Sequence, residues 1–107
     1  MDEYLPEIYL TFREQYPEIA QANDALGIAT REAGPLDERT QRLIRLGIAI
    51  GAGSDGAIKA SVRKALEQDI TASEMRHVAM LAVTTAGFPT AIAGLAAIDE
   101  VLGNRAS

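Results

Sequence analysis

The 107-residue chain carries ten Lys and Arg against fifteen Asp and Glu, a net charge of −5, with 48% apolar residues and no cysteine. Such a chain has room for one small domain, and a single all-α domain over residues 1–107 is expected. The acidic balance excludes bulk nucleic-acid binding, which needs a basic surface, and the missing thiols exclude a disulfide framework, a thiolate metal site and an intrinsic dithiol redox cycle.

Leu5 to Gln15 reads as a short helix with Pro6 in its first turn and a narrow apolar stripe of Ile8 and Phe12. Pro17 breaks the chain after Tyr16 and starts a second helix, in which Ile19, Ala22, Leu26, Ala29 and Ala33 recur at spacings of three and four. That repeat predicts a buried face up to about Glu32. Gly34-Pro35 stops it, and Asp37 is placed to cap the next helix. From Glu38 to about Ile50 the apolar residues cover most of the circumference, so this third helix is expected to be central.

Gly51-Ala52-Gly53 ends it, and Ser54 or Asp55 caps a fourth helix whose inward stripe is Ile58, Val62, Ala65 and Leu66. Thr71-Ala72-Ser73-Glu74 is a capping box, a specific helix-start signal, and Met75, Val78, Ala79, Ala82 and Ala86 extend a fifth helix face to Gly87. Phe88-Pro89 opens the sixth helix, with Ala91, Leu95, Ile98 and Leu102 inward, Gly103 closing it and Asn104 to Ser107 as a tail. Gly94 inside that helix costs about 1 kcal/mol relative to alanine, which suggests close helix packing. No apolar run reaches the ~18–20 residues of a membrane span, and the acidic start Met1-Asp2-Glu3-Tyr4 has no leader pattern. A cytoplasmic protein without a membrane or nucleic-acid partner is expected.

Few residues offer chemistry. Ser54 and Ser61 flank the central turn, but neither sits in a nucleophile elbow, and capping and packing explain both. His77 is the only histidine; with no second ligand at metal spacing, no metal site is expected. Acid/base work by His77 is the alternative to a surface or interface role. Six of the ten basic residues lie between Arg39 and Lys64, as solvated faces, subunit contacts or an anion-binding patch.

Four blocks carry a family resemblance. They are Thr40-Gln-Arg-Leu-Ile-Arg-Leu-Gly-Ile-Ala-Ile, Ile58-Lys-Ala-Ser-Val-Arg-Lys-Ala-Leu, and the pair Ile70-Thr-Ala-Ser-Glu-Met with Thr85-Ala-Gly-Phe-Pro-Thr-Ala. Over residues 36–102 the chain resembles the carboxymuconolactone decarboxylase family, which includes the alkyl hydroperoxidase D-like proteins. The resemblance implies an all-α fold of about six helices and a homo-oligomer, trimer or hexamer. It also places a Cys-x-x-Cys-x-x-x-His motif on Ser54, Ala57 and Ser61, where none of the reactive groups remains. A cysteine-dependent peroxidase is therefore not expected, and no cofactor is implied. The leading expectation is an oligomeric binding or scaffold protein. The alternative is a divergent acid/base enzyme acting on a small anionic carboxylate, with Ser61 and His77 catalytic and Ser54, Lys59 and Arg63 holding the substrate.

Overall fold

The computed structural model describes residues 7–106, and six helices follow one another along them: α1 (Glu7–Gln15), α2 (Pro17–Arg31), α3 (Glu38–Ala52), α4 (Asp55–Glu67), α5 (Ala72–Leu81) and α6 (Phe88–Ala106). No strand occurs among the described residues. Leu5 and Pro6, where the sequence starts the first helix, and Ser107 of the expected tail lie outside them. The chain divides after Pro35 into two compact units.

The first unit is a hairpin of α1 and α2. Pro17 occupies the first turn of α2, where its missing N–H costs nothing. The hairpin is clasped by Arg13, whose Nη2 and Nη1 donate to the two carboxylate oxygens of Asp24 at 2.6 and 3.2 Å. This fork raises the Arg13 pKa and lowers that of Asp24. The expected buried face of α2 is not there. Ala20 alone is buried among the unit's described residues, while Ile19 is 57% and Leu26 61% exposed. Two short helices bury too little to cover a whole apolar stripe, so periodicity marked a face without a cover.

The second unit is built on α3, which packs against α4, α5 and α6. Leu46, Ile50, Val62, Ile70, Met75 and Ile98 are its largest fully buried side chains. The caps fall where the sequence puts them. Asp37 accepts from the Thr40 amide at 2.7 Å, and Thr71 and Glu74 form the complete capping box. That hydrogen bond also holds the Asp37 carboxyl below its ordinary pKa. At the end of α3, Gly53 turns left-handed at φ 70°, and the Ser54 amide reaches back to the Ala49 carbonyl at 3.2 Å. At the end of α4 the same reversal is made by Asp69 at φ 61°, with the amides of Asp69 and Ile70 donating to the carbonyls of Leu66 and Ala65. Aspartate tolerates this region better than most side chains.

Gly94 of α6 lies directly against α3. A Cβ built on it would stand 2.7 Å from Ile50 Cγ2, closer than such atoms approach, and 3.0 Å from Cγ1, itself a tight contact. Two element ends differ from expectation. α5 stops at Leu81, because residues 82–86 form turns that send the Ala86 and Gly87 amides to the Ala82 carbonyl. α6 runs through Gly103 to Ala106, since a glycine ends a helix only by turning left-handed, and among the described glycines only Gly53 and Gly87 have positive φ. The two units also differ in charge. Residues 1–35 hold seven acids and two bases, whereas residues 36–107 hold eight of each.

Candidate functional site

Ser54 is the N-cap of α4. Its Oγ accepts from the Ala57 amide at 3.4 Å, so the hydroxyl answers one of the open N–H groups of the first helical turn. Ser61, two turns on, is only 5% exposed. Arg42 of α3 donates from Nη1 to its Oγ at 3.5 Å and from Nε to Gln68 Oε1 at 3.3 Å. A cation, a hydroxyl and an amide thus share the α3–α4 seam. Arg42 counts in the sequence only as one of six basic residues that could form an anion-binding patch, and Gln68 gives no signal there. Gln68, seven residues on, shares the Ser61 face of α4 by helix periodicity, and the packing of α3 against α4 brings in Arg42, 19 residues away in sequence.

Lys59 is committed to acids. Its Nζ lies 3.1 Å from Asp55 Oδ2 and 3.0 Å from Glu100 Oε2, and these bonds, Glu100 first, raise its pKa. The pair to Glu100 ties α4 to α6. Arg63 is half-buried.

His77 lies elsewhere. It is exposed on α5 and lines a groove of about 600 Å³ between α3 and α5. Leu43, Ile44, Gly47 and Ile48 form the α3 side, while Glu74, Val78 and Leu81 join His77 on the other. The groove is apolar and open: Ile48 is 65%, Leu81 59% and Ile44 43% exposed. Gly47 deepens it, because a Cβ there would meet Val78 Cγ1 at 3.5 Å. Two of its polar groups are already engaged. Glu74 Oε1 accepts from Arg39 Nη2 at 2.5 Å, from the Thr71 amide at 2.9 Å and from the Thr71 hydroxyl at 3.1 Å. The Arg39 guanidinium, with the Thr71 amide next, pulls the Glu74 carboxyl down to about 2. Thr85, beyond α5, donates its hydroxyl to the Leu81 carbonyl at 3.0 Å. No hydrogen bond or ion pair among the described residues ends on His77.

A smaller hollow of about 250 Å³ opens between the N-terminal ends of α4 and α6, touching Asp55, Ile58 and Pro89. Neither cavity is lined by Ser54 or Ser61. The residues expected to form one site are therefore spread over a helix cap, a buried seam, an α4–α6 ion pair and the α3–α5 groove. Among the described residues, no three of His, Asp and Glu gather as metal ligands, and no helix is long and apolar enough to cross a membrane.

Comparison with known proteins follows the helices closely. The family model described as "Carboxymuconolactone decarboxylase family" matches residues 17–100, reaching back to the proline that starts α2. An uncharacterised protein of Methanocaldococcus jannaschii is 30% identical over 106 residues, spanning 98% of this chain and 99% of its own. An uncharacterised protein of Haemophilus influenzae is 38% identical over 52 residues, 49% of this chain and 46% of that one. Among solved structures, a carboxymuconolactone decarboxylase family protein of Legionella pneumophila superposes with a TM-score of 0.77 at 24% identity, covering 94% of this chain and 98% of its own.

Proposed function

The chain belongs to the carboxymuconolactone decarboxylase family, and from that premise we propose a member without thiol chemistry, a homo-oligomer that binds a small molecule. One observation carries the reading. At the three positions where the resemblance puts a redox motif stand a helix cap, an exposed alanine and a buried hydroxyl under Arg42. A serine hydroxyl cannot reduce a peroxide as a thiolate does, because it neither ionises near neutral pH nor forms a disulfide. Assembly is supported by exposed apolar surface outside the α3–α5 groove, to which Phe88, 63% exposed, and Ile92, 41% exposed, contribute; exposed apolar surface of this kind marks contact surfaces.

The test combines native mass spectrometry with a peroxide assay using a dithiol donor. Multimers at micromolar concentration and no dithiol-dependent consumption are expected. A strictly monomeric protein refutes assembly, and turnover refutes the exclusion of peroxidase chemistry.

A second reading, binding of a small carboxylate at the α3–α4 seam, is favoured by the Arg42–Ser61–Gln68 cluster, whose guanidinium matches an anion. Binding of a short dicarboxylate that is lost in Arg42→Met would support it. Equal binding by both proteins would end it.

A further inference from the structure

We infer that the α3–α5 groove takes an uncharged amphipathic molecule: a ring or short alkyl chain bearing one hydroxyl or carbonyl oxygen, which accepts a hydrogen bond from His77. The inference rests on the binding role proposed above and gives that role a place and a ligand chemistry.

Size comes first. At about 600 Å³ the groove lies within the roughly 300–1,000 Å³ of small-molecule sites, and its walls are mainly aliphatic, as such sites are. Glycine at position 47 keeps that part of the floor at backbone level, where a Cβ would stand 3.5 Å from Val78 Cγ1. Ile48, Leu81 and Ile44 hold apolar surface in water that a ring laid along the groove would cover.

Charge then selects the head group. A cationic head finds one carboxylate in the lining, Glu74, already matched by Arg39 and by the Thr71 amide and hydroxyl. An anionic head meets neither Lys nor Arg in the lining and would leave its charge facing aliphatic walls and the Glu74 carboxylate. An uncharged oxygen meets neither obstacle. The Thr85 hydroxyl donates to the Leu81 carbonyl, so the lining donor still open is a ring N–H of His77. One neutral hydrogen bond is worth up to about tenfold in affinity, enough to set orientation without dominating binding.

Three probes with one ring separate the head groups: 1-naphthol, 1-naphthoate and 1-naphthylmethylammonium. Each is titrated into the full chain, followed by amide chemical shifts and calorimetry, with mass measured in parallel. Saturable naphthol binding is expected, with shifts on α3 and α5 and the two charged probes at least about fivefold weaker. His77→Phe should weaken naphthol about five- to tenfold while keeping the apolar wall. Ile48→Gln, at a position exposed enough to leave the fold intact, should weaken all three probes together.

Equal affinity for the three probes, shifts confined to other helices, or a His77→Phe protein that binds naphthol unchanged would overturn the inference. So would an Ile48→Gln protein that changes mass while naphthol fails to bind the parent, since the groove would then be covered by a second copy and the oligomer reading would stand alone. Naphthol binding by a protein that stays monomeric does the reverse: it keeps the groove site and removes the assembly.

Discussion

Replacing Gly94 with alanine should destabilise the protein although it improves the helix. In an exposed helix interior the change is worth about 1 kcal/mol in favour of alanine. Here the new Cβ would lie 2.7 Å from Ile50 Cγ2 and 3.3 Å from Cβ. Ile50 is fully buried and β-branched, so its χ1 has little freedom to give way. Overpacking of this kind costs about 1–3 kcal/mol. Contact with three atoms of one stiff side chain places Gly94 toward the upper end, leaving a net loss of about 1–2 kcal/mol after the helix gain. Gly47 is the control. It also sits inside a helix, but its Cβ would make ordinary contact with Val78, so Gly47→Ala should stabilise by up to about 1 kcal/mol. Urea unfolding followed by circular dichroism should move the two midpoints in opposite directions at unchanged slope. In an Ile50→Ala background, Gly94→Ala should cost less than in the parent, because the clashing Cγ atoms are gone. A Gly94→Ala protein as stable as the parent would refute the claim of close approach.

Other consequences are simpler to test. The Glu74 carboxyl is held at about 2 instead of its ordinary 4.5, so it stabilises the fold above that ordinary value and loses the contribution as pH falls toward 2. Glu74→Gln should lower stability at neutral pH and flatten the loss between pH 4.5 and 2; an unchanged acid profile would contradict the ion pair with Arg39. Thr71→Ala removes one half of the capping box and should cost about 1 kcal/mol by thermal unfolding. Ser61→Ala should cost no more than about 1 kcal/mol, because the hydrogen bond it removes is long at 3.5 Å and Arg42 keeps its bond to Gln68. A loss of several kcal/mol would show that Arg42 depends on that hydroxyl. Amides of α2 should exchange with solvent faster than those of α3 and α4, since Ala20 is the only buried residue described in the hairpin. Equal protection would mean the hairpin is covered in solution.

What the sequence disclosed was local. The capping box, the Asp37 and Ser54 caps and the Gly53 reversal involve residues within one turn of each other, so composition and spacing reveal them. Gly94 was legible for a related reason: its cost in a helix needs a repayment, and contact is the usual one. Cover was not legible. Ile19 and Leu26 repeat at helical spacing whether or not anything lies over them, and Ile44 and Ile48 share a helix with the buried Leu46 and Ile50 while standing open. The end of α5 was hidden because Ala82 to Ala86 continue its apolar pattern through a run of turns. The site suffered most. Ser61 meets Arg42, and His77 borders Gly47, only through packing between helices, and no spacing rule encodes which residues two helices bring face to face.

The uneven charge of the two units bears on handling as much as on recognition. All of the net charge belongs to residues 1–35, while residues 36–107, with eight acids and eight bases, are electrically neutral and carry the open apolar groove. A neutral body with exposed aliphatic surface has little to keep copies apart in solution. The hairpin therefore carries the chain's charge repulsion: a protein shortened to the second unit should precipitate more readily than the whole, and most readily near neutral pH.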